Sequence, residues 1–162
     1  MVGKETADPR TGSGRISSRA RPNARAVFRI LEHTADVGFE AFGSSRKEAF
    51  ENAARAMFHL ITDLDSIEPR EEVFIEVTAA DPPNLLVNWL SELLYLHDAE
   101  QWLFRDFDLK NLDDHAASGR AWGEKLNRAR HQPNLQIKAV TYHQLQLEKC
   151  REGWRAQVYL DI

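Results

Sequence analysis

Cysteine is nearly missing from this chain: Cys150 stands alone, so an intrachain disulfide is excluded. No thiolate cluster can hold zinc or an iron–sulfur centre, and any metal site must use oxygen or imidazole donors. Long apolar runs are missing too. No stretch approaches the ~18 residues needed to span a bilayer, and the N-terminus lacks the apolar segment of a secretory signal, so a cytoplasmic protein without a membrane role is expected. The motifs Gly-x-x-x-x-Gly-Lys-Ser/Thr, His-Glu-x-x-His and Gly-x-Ser-x-Gly do not occur, which removes the standard phosphate loop, zinc protease helix and nucleophile elbow. No internal repeat is clear enough to use.

What is present suits one soluble domain. The 162 residues are 43% hydrophobic and 28% charged, enough apolar material for a single core. Cys150 lies among Glu148, Lys149 and Arg151 just before Gly153, and reads as a partly exposed structural cysteine rather than a nucleophile. Charge is unevenly spread. Lys4, Arg10, Arg15, Arg19 and Arg21 against Glu5 and Asp8 give the first 24 residues a net +3, so a chain of net −4 has a body of −7. An acidic body opposes direct, tight binding of a phosphate backbone, and any RNA would be held by a partner.

Residues 1–24, rich in Arg, Ser, Gly and Pro, are predicted to form a disordered tail, because they offer too little apolar surface to offset ordering entropy. The domain is placed at 25–162. Ala26 to Leu31 reads as a strand, and Val37, Phe39 and Ala41 mark one face of a second over Val37–Gly43. Ser45 with Glu48 forms a capping-box pattern, followed by Ala49, Phe50, Ala53, Ala54, Met57, Phe58 and Ile61 at helical spacing. A strand around Val73–Val77 precedes a second helix, capped by Asp81 with Pro82 in its first turn, whose broad stripe of leucines with Trp89 predicts deep burial. Further strands are expected at Phe104–Leu109, Ala116–Gly123, Leu135–Leu147 with a break, and Trp154–Ile162. The tryptophans and phenylalanines fall in these patterns and read as core, not as base-stacking groups. The fold class is α+β: a single domain of two main helices packed on mostly antiparallel or mixed sheets.

Three places carry unusual polar residues. His33-Thr34-Ala35-Asp36 joins two strands, Lys138 and His143 interrupt a strand-like run, and the sequence closes on Tyr159-Leu160-Asp161-Ile162. Asp161 stands one residue from the α-carboxylate, and Asp36 beside them would complete an oxygen-rich site for calcium, magnesium or manganese. On the residues alone, a solvated terminal aspartate explains Asp161 as well. His33 and His143 read either as ligands or acid–base groups or as hydrogen-bonded structural residues. Lys138 reads as an ion-pair partner or an anion site.

The blocks HTADVGFEAFG, EAFENAARAMFHLITDL, NLLVNWLSELLYLHD, Gly123-Glu124, IKAVTYHQL and the closing LDI resemble, in order and spacing, the archease family. The resemblance runs from about Phe28 to Ile162. It implies a non-enzymatic accessory protein that activates RtcB-type RNA ligase, which joins RNA ends in tRNA splicing and repair with GTP and manganese, by promoting ligase guanylylation and multiple turnover. It also implies a divalent metal, calcium in the family with magnesium or manganese as alternatives, held by Asp36, Asp161 and the carboxylate of Ile162. By the same resemblance Lys138 assists at that site, His33 and His143 are supporting or structural, and RNA is met only through the ligase. The other readings are a free-standing metal-dependent hydrolase with His143 or His33 as base, and a chaperone-like RNA-processing adaptor.

Overall fold

The computed structural model describes residues 27–32 and 36–162. The expected disordered tail at 1–24, and His33, Thr34 and Ala35, lie outside the described residues. In chain order the elements are β1 (Phe28–Glu32), β2 (Asp36–Gly43), α1 (Arg46–Ile61), a short 3-10 turn (Leu64–Ser66), β3 (Glu71–Thr78), α2 (Pro82–Glu100), β4 (Trp102–Leu112), β5 (Ala116–Lys125), β6 (Ala139–Val140), β7 (Gln146–Cys150) and β8 (Gly153–Asp161). They form a single α+β domain with two sheets. The first has the order β1-β2-β8-β6, with β7 also paired to β8, and the second has the order β3-β5-β4. Every strand pairing is antiparallel. Among the described residues no helix is long and apolar enough to cross a membrane.

Local chemistry sets the helix starts. Ser45 Oγ accepts from the Glu48 N–H at 3.1 Å, while Glu48 Oε1 accepts from Ser44 N at 2.6 Å, one residue earlier than a standard capping box. Asp81 Oδ1 accepts from Asn84 N at 2.9 Å and opens α2, with Pro82 at its first position, where a missing N–H costs nothing. Gln101 closes α2 in the left-handed region, φ 61°, and its N–H bonds to His97 O.

Burial follows the hydrophobic pattern, but α1 is more enclosed than its stripe predicts. Phe50, Ala53, Ala54, Met57 and Phe58 are fully buried, and the polar Glu51 and Asn52 are nearly so. The reason is that α1 contacts both β2 and β8 in one sheet and β4 in the other. Each buried polar group has a partner: Glu51 Oε2 accepts from Leu109 N at 2.8 Å, and Asn52 Nδ2 donates to Phe42 O at 2.7 Å. Trp89 of α2 is fully buried, with its indole N–H donating to Phe50 O at 3.1 Å. Phe58, Phe104, Phe107 and Trp89 continue the core through edge-to-face pairs.

The strand-like run Leu135–Leu147 is mostly not strand. Asn134 N and Leu135 N donate to Ile61 O and Leu60 O, so this backbone terminates α1 instead of pairing with β8. Only Ala139–Val140 and Gln146–Cys150 join the sheet, separated by a turn with Gln144 at φ 49°. The strand bounds also shift: β4 runs from Trp102 to Leu112 with register shifts at Phe104/Asp106 and Leu109/Asn111. Gly123 sits opposite Phe104 beside the first shift, where a Cβ would lie 1.8 Å from Leu103 O. Gly123→Ala should therefore destabilise the fold by about 2 kcal/mol or more, because backbone must move to admit the methyl. Urea unfolding measures it, and a loss below ~0.5 kcal/mol would contradict the close approach.

Candidate functional site

Three strands converge at one end of the first sheet. In the β2–β8 register Asp36 lies opposite Asp161, and in the β6–β8 register Ala139 lies opposite Asp161 from the other side. Lys138 N donates to Asp161 O at 2.7 Å, carrying this pairing one residue further. Side chains alternate along a strand. Since Val37, Phe39, Val158 and Leu160 point into the core, Asp36 and Asp161 share the outer face. Directly opposite residues have Cβ atoms about 4.5–5.5 Å apart, so the two carboxylates are neighbours although they stand at opposite ends of the domain sequence. Asp36 is half-buried, while Lys138, Asp161 and Ile162 are exposed.

Of the two histidines singled out in the sequence, His33 lies outside the described residues, and His143 is set on an aromatic ring. His143 packs its ring on Tyr159, centroids 5.6 Å apart at 66°, and its backbone N–H donates to Thr141 Oγ1 at 3.3 Å. Tyr159 in turn lies over Gly38, its cross-strand partner, where a Cβ would stand 2.7 Å from the tyrosine ring. Gly38 therefore makes room for an aromatic platform on the same face as Asp36 and Asp161.

The donor chemistry fits a hard divalent cation. Two carboxylates on adjacent strands offer oxygen donors of the kind calcium, magnesium and manganese take. Among the described residues no three His, Cys, Asp or Glu side chains are gathered to hold a metal, so the two aspartates are the side-chain donors at this place.

Two polar clusters went unseen in the sequence. On the outer face of the first sheet Glu40 is buried between Arg29 and Arg155, with Arg155 Nε at 2.6 Å from Oε2. Arg155 also donates to Gln146, Glu148 and Gln157 at 2.8–2.9 Å. Burial raises the Glu40 pKa, but the two guanidinium groups outweigh it and lower it overall. The second cluster centres on Glu124, at the end of β5. Its carboxylate accepts from Arg130 Nη2 at 2.5 Å, Glu68 N at 2.8 Å and His131 Nε2 at 2.9 Å. Asn127 N donates to His131 Nδ1 at 2.8 Å, so Nε2 carries the proton that Glu124 accepts. His131 is fully enclosed, yet its sequence neighbours give no hint of a role. The only available signal was the Gly123-Glu124 block.

A cavity of about 500 Å³ opens between the C-terminal ends of the helices and the 126–136 segment, lined among others by Thr62, His97, Asp98 and Arg128. Asp36, Asp161 and His143 do not line it.

An α+β domain of two antiparallel sheets around two helices, with Asp36 and Asp161 facing each other where its first and last long strands meet, defines the structural class of this small protein. The model of the Archease protein family (MTH1598/TM1083) matches residues 28–162, and the chain belongs to that family. It is 42% identical over 141 residues to protein archease of Methanosarcina barkeri, covering 83% of this chain and 95% of that protein. It is 42% identical over 135 residues to protein archease of Pyrococcus abyssi, covering 81% and 95%. The solution structure of Methanobacterium thermoautotrophicum protein 1598 superposes with a TM-score of 0.74 at 39% identity, covering 84% of this chain and 99% of that one. The crystal structure of a Thermotoga maritima archease, described as a "possible chaperone", shares the fold with a TM-score of 0.57 at 21% identity, covering 82% and 94%.

Burial raises the Glu124 pKa, but Arg130, the Glu68 N–H and His131 together outweigh it and bring it from 4.5 down to about 2. A carboxylate held lower in the folded than in the unfolded chain stabilises fully above about pH 4.5 and loses that contribution as pH falls towards 2. At about 1.4 kcal/mol per pH unit this is about 3 kcal/mol at neutral pH. Glu124→Gln should cost about that much at pH 7 and flatten the acid dependence between pH 4.5 and 2. Chemical unfolding across that range is the measurement, and an unchanged pH slope would show that Glu124 is not the group responsible.

Proposed function

We propose that this chain is a metal-binding accessory protein that activates an RtcB-type RNA ligase in tRNA splicing and RNA repair, promoting ligase guanylylation and multiple turnover. The observation that carries the reading is the β2–β8 register, which sets Asp36 opposite Asp161 on one outer face. Facing positions on adjacent strands give a divalent cation oxygen donors from both strands. Asp36, Asp161 and the carboxylate of Ile162 would hold it, with calcium the ion the family resemblance implies and magnesium or manganese as alternatives. A bound cation supplies positive charge able to meet a phosphate or a carboxylate of a partner.

The chain's own residues shape that role. Lys138 is fixed beside the pair by its main-chain bond to Asp161 O and offers an exposed ammonium group at the rim. His143 supports the Tyr159 platform and not the cation. The −7 body leaves RNA to the ligase, in the cytoplasm, and the accessory protein needs no nucleophile or base of its own.

Calcium, magnesium or manganese at about a hundred times its dissociation constant should stabilise the fold by roughly 2.7 kcal/mol, a rise of several degrees in Tm. Asp161→Ala should abolish that rise, and thermal scans with and without each ion test it; equal rises in parent and variant would place the ion elsewhere. In RNA ligation at limiting ligase with GTP and manganese, the parent should stimulate, and a still-folded Asp161→Ala should not. A chain extended beyond Ile162, which no longer ends in that carboxylate, should stimulate weakly. Absence of stimulation by the parent with a competent ligase would overturn the activator reading.

A further inference from the structure

The second sheet ends on β3, whose far side pairs with no strand among the described residues. Which groups lie open there follows from the hydrogen bonds. Ala79 N donates to His115 O, and the register runs on unbroken from Thr78↔Ala116 to Glu71↔Gly123. Bonded and non-bonded positions alternate along an antiparallel pair. Val77, Ile75 and Val73 therefore direct their main-chain groups to β5, whereas the N–H and C=O of Glu76, Phe74 and Glu72 point to the open edge. Asn88 of α2 agrees with this assignment, because its Nδ2 reaches Thr78 O, the next carbonyl of the open series, at 2.8 Å.

Side chains set what the edge can accept. Ile75 is buried and Val73 and Val77 pack on the core, so Glu72, Phe74 and Glu76 stand on the outer face, where Phe74 is 61% exposed. Beside the edge, Val77 and Thr78 line a cavity of about 310 Å³ with Asn88, Ser91 and Glu92 of α2. Tyr95, exposed and one helical turn beyond Ser91 and Glu92, extends that wall. The charge is one-sided. Among the described residues the only ion pair made by Glu71, Glu72, Glu76 or Glu92 is from Arg120 to Glu72, at 3.7 Å. Arg70 is bonded to Glu68, and Lys110 to Asp108.

Charges on an open edge keep most strands away, and their sign decides which strand is still admitted. A second copy brings the same carboxylates: pairing centred on Phe74 would set Glu72 opposite Glu76 twice. Nucleic acid is opposed by its phosphates. We propose that the β3 edge takes an extended segment of a partner protein as an added antiparallel strand, with Lys or Arg opposite Glu72 and Glu76 and a large apolar residue opposite Phe74. Main-chain bonds to the three open residues hold the strand, and the side chains between its cations and its apolar residue turn towards the cavity beside α2, which reads them. Opposite charge at two positions fixes the register. The chain's own Arg15-Ile16-Ser17-Ser18-Arg19 matches the spacing of the cations but has Ser17 at the apolar position, so it fits less well than a segment with leucine or phenylalanine there. The inference concerns the second sheet alone and does not rest on the activator reading.

The test titrates the full chain with a capped synthetic peptide, Thr-Lys-Thr-Leu-Thr-Lys-Thr, and follows binding and amide hydrogen exchange by NMR. Peptide at about ten times its dissociation constant should slow exchange at Glu72, Phe74 and Glu76 about tenfold, leaving Val73, Ile75 and Val77, already bonded to β5, unchanged. Phe74→Ala should weaken binding about tenfold. The double variant Glu72→Lys, Glu76→Lys should lose the lysine peptide and take Thr-Glu-Thr-Leu-Thr-Glu-Thr, which the parent refuses. Comparing the two peptides on the parent tests the charge without any change to the fold. No binding of the lysine peptide up to about 1 mM overturns the proposal, as does equal binding of the glutamate peptide. Binding that leaves the three open amides exchanging as before overturns strand addition. Protection of those amides that rises with protein concentration alone assigns the edge to a second copy, and a peptide of residues 13–21 that binds as tightly as the lysine peptide assigns it to this chain's own tail; either result overturns the partner segment.

Discussion

Antiparallel pairing of β2 with β8 runs from Asp36↔Asp161 to Gly43↔Trp154 without a register shift, and the first sheet is organised around it. On one face the pairing aligns Val37, Phe39 and Ala41 with Leu160, Val158 and Ala156, all buried. On the other it aligns Asp36, Gly38 and Glu40 with Asp161, Tyr159 and Gln157. A slip of one residue would turn carboxylates into the core and apolar side chains to the outside, so burial of one face fixes the chemistry of the other. Tyr159 over Gly38 depends on the same register, as does the attachment of β6 that brings Lys138 to Asp161.

Buried carboxylates inside the fold tie together segments that are distant in the sequence. Glu51 caps a β4 N–H from within α1, Glu40 ties three strands through Arg29 and Arg155, and Glu124 gathers residues 68, 130 and 131. The last matters beyond its own position. The segment after Glu124 crosses the ends of α1 by bonds from Asn134 and Leu135, buries Ile137, and arrives at Lys138 beside Asp161. A buried carboxylate with three donors thus secures the start of a strap whose end reaches the candidate metal site. Removing one partner of such a cluster leaves the others buried and unsatisfied, which is why these groups are costly to alter singly.

One end of the first sheet gathers residues that stand far apart in the chain. Asp36 and Asp161 face each other across β2 and β8, Lys138 joins them through its main-chain bond to Asp161 O, and His143 rests on Tyr159. In the proposed activator the two carboxylates hold the cation, and His143 is not needed for it.

The sequence by itself determined what depends on neighbours a few residues apart. Alternating Val37, Phe39 and Ala41 specified a strand, Ser45 and Asp81 specified helix starts, and the leucine stripe of α2 specified burial, because side-chain period and capping are local. The six spaced blocks also carried the family resemblance, and with it Asp36, Asp161, Ile162 and Lys138 as the residues to look at. Tertiary structure alone decided the rest: that Asp36 faces Asp161 across a strand pair, that Leu135–Leu147 divides where Asn134 and Leu135 bond to the end of α1, that α1 lies against both sheets, and that His131 completes a cluster around Glu124 while His143 rests on Tyr159. Those outcomes depend on hydrogen bonds and charge pairs between segments far apart in the chain, and such contacts leave no periodic trace in either segment for a sequence to display.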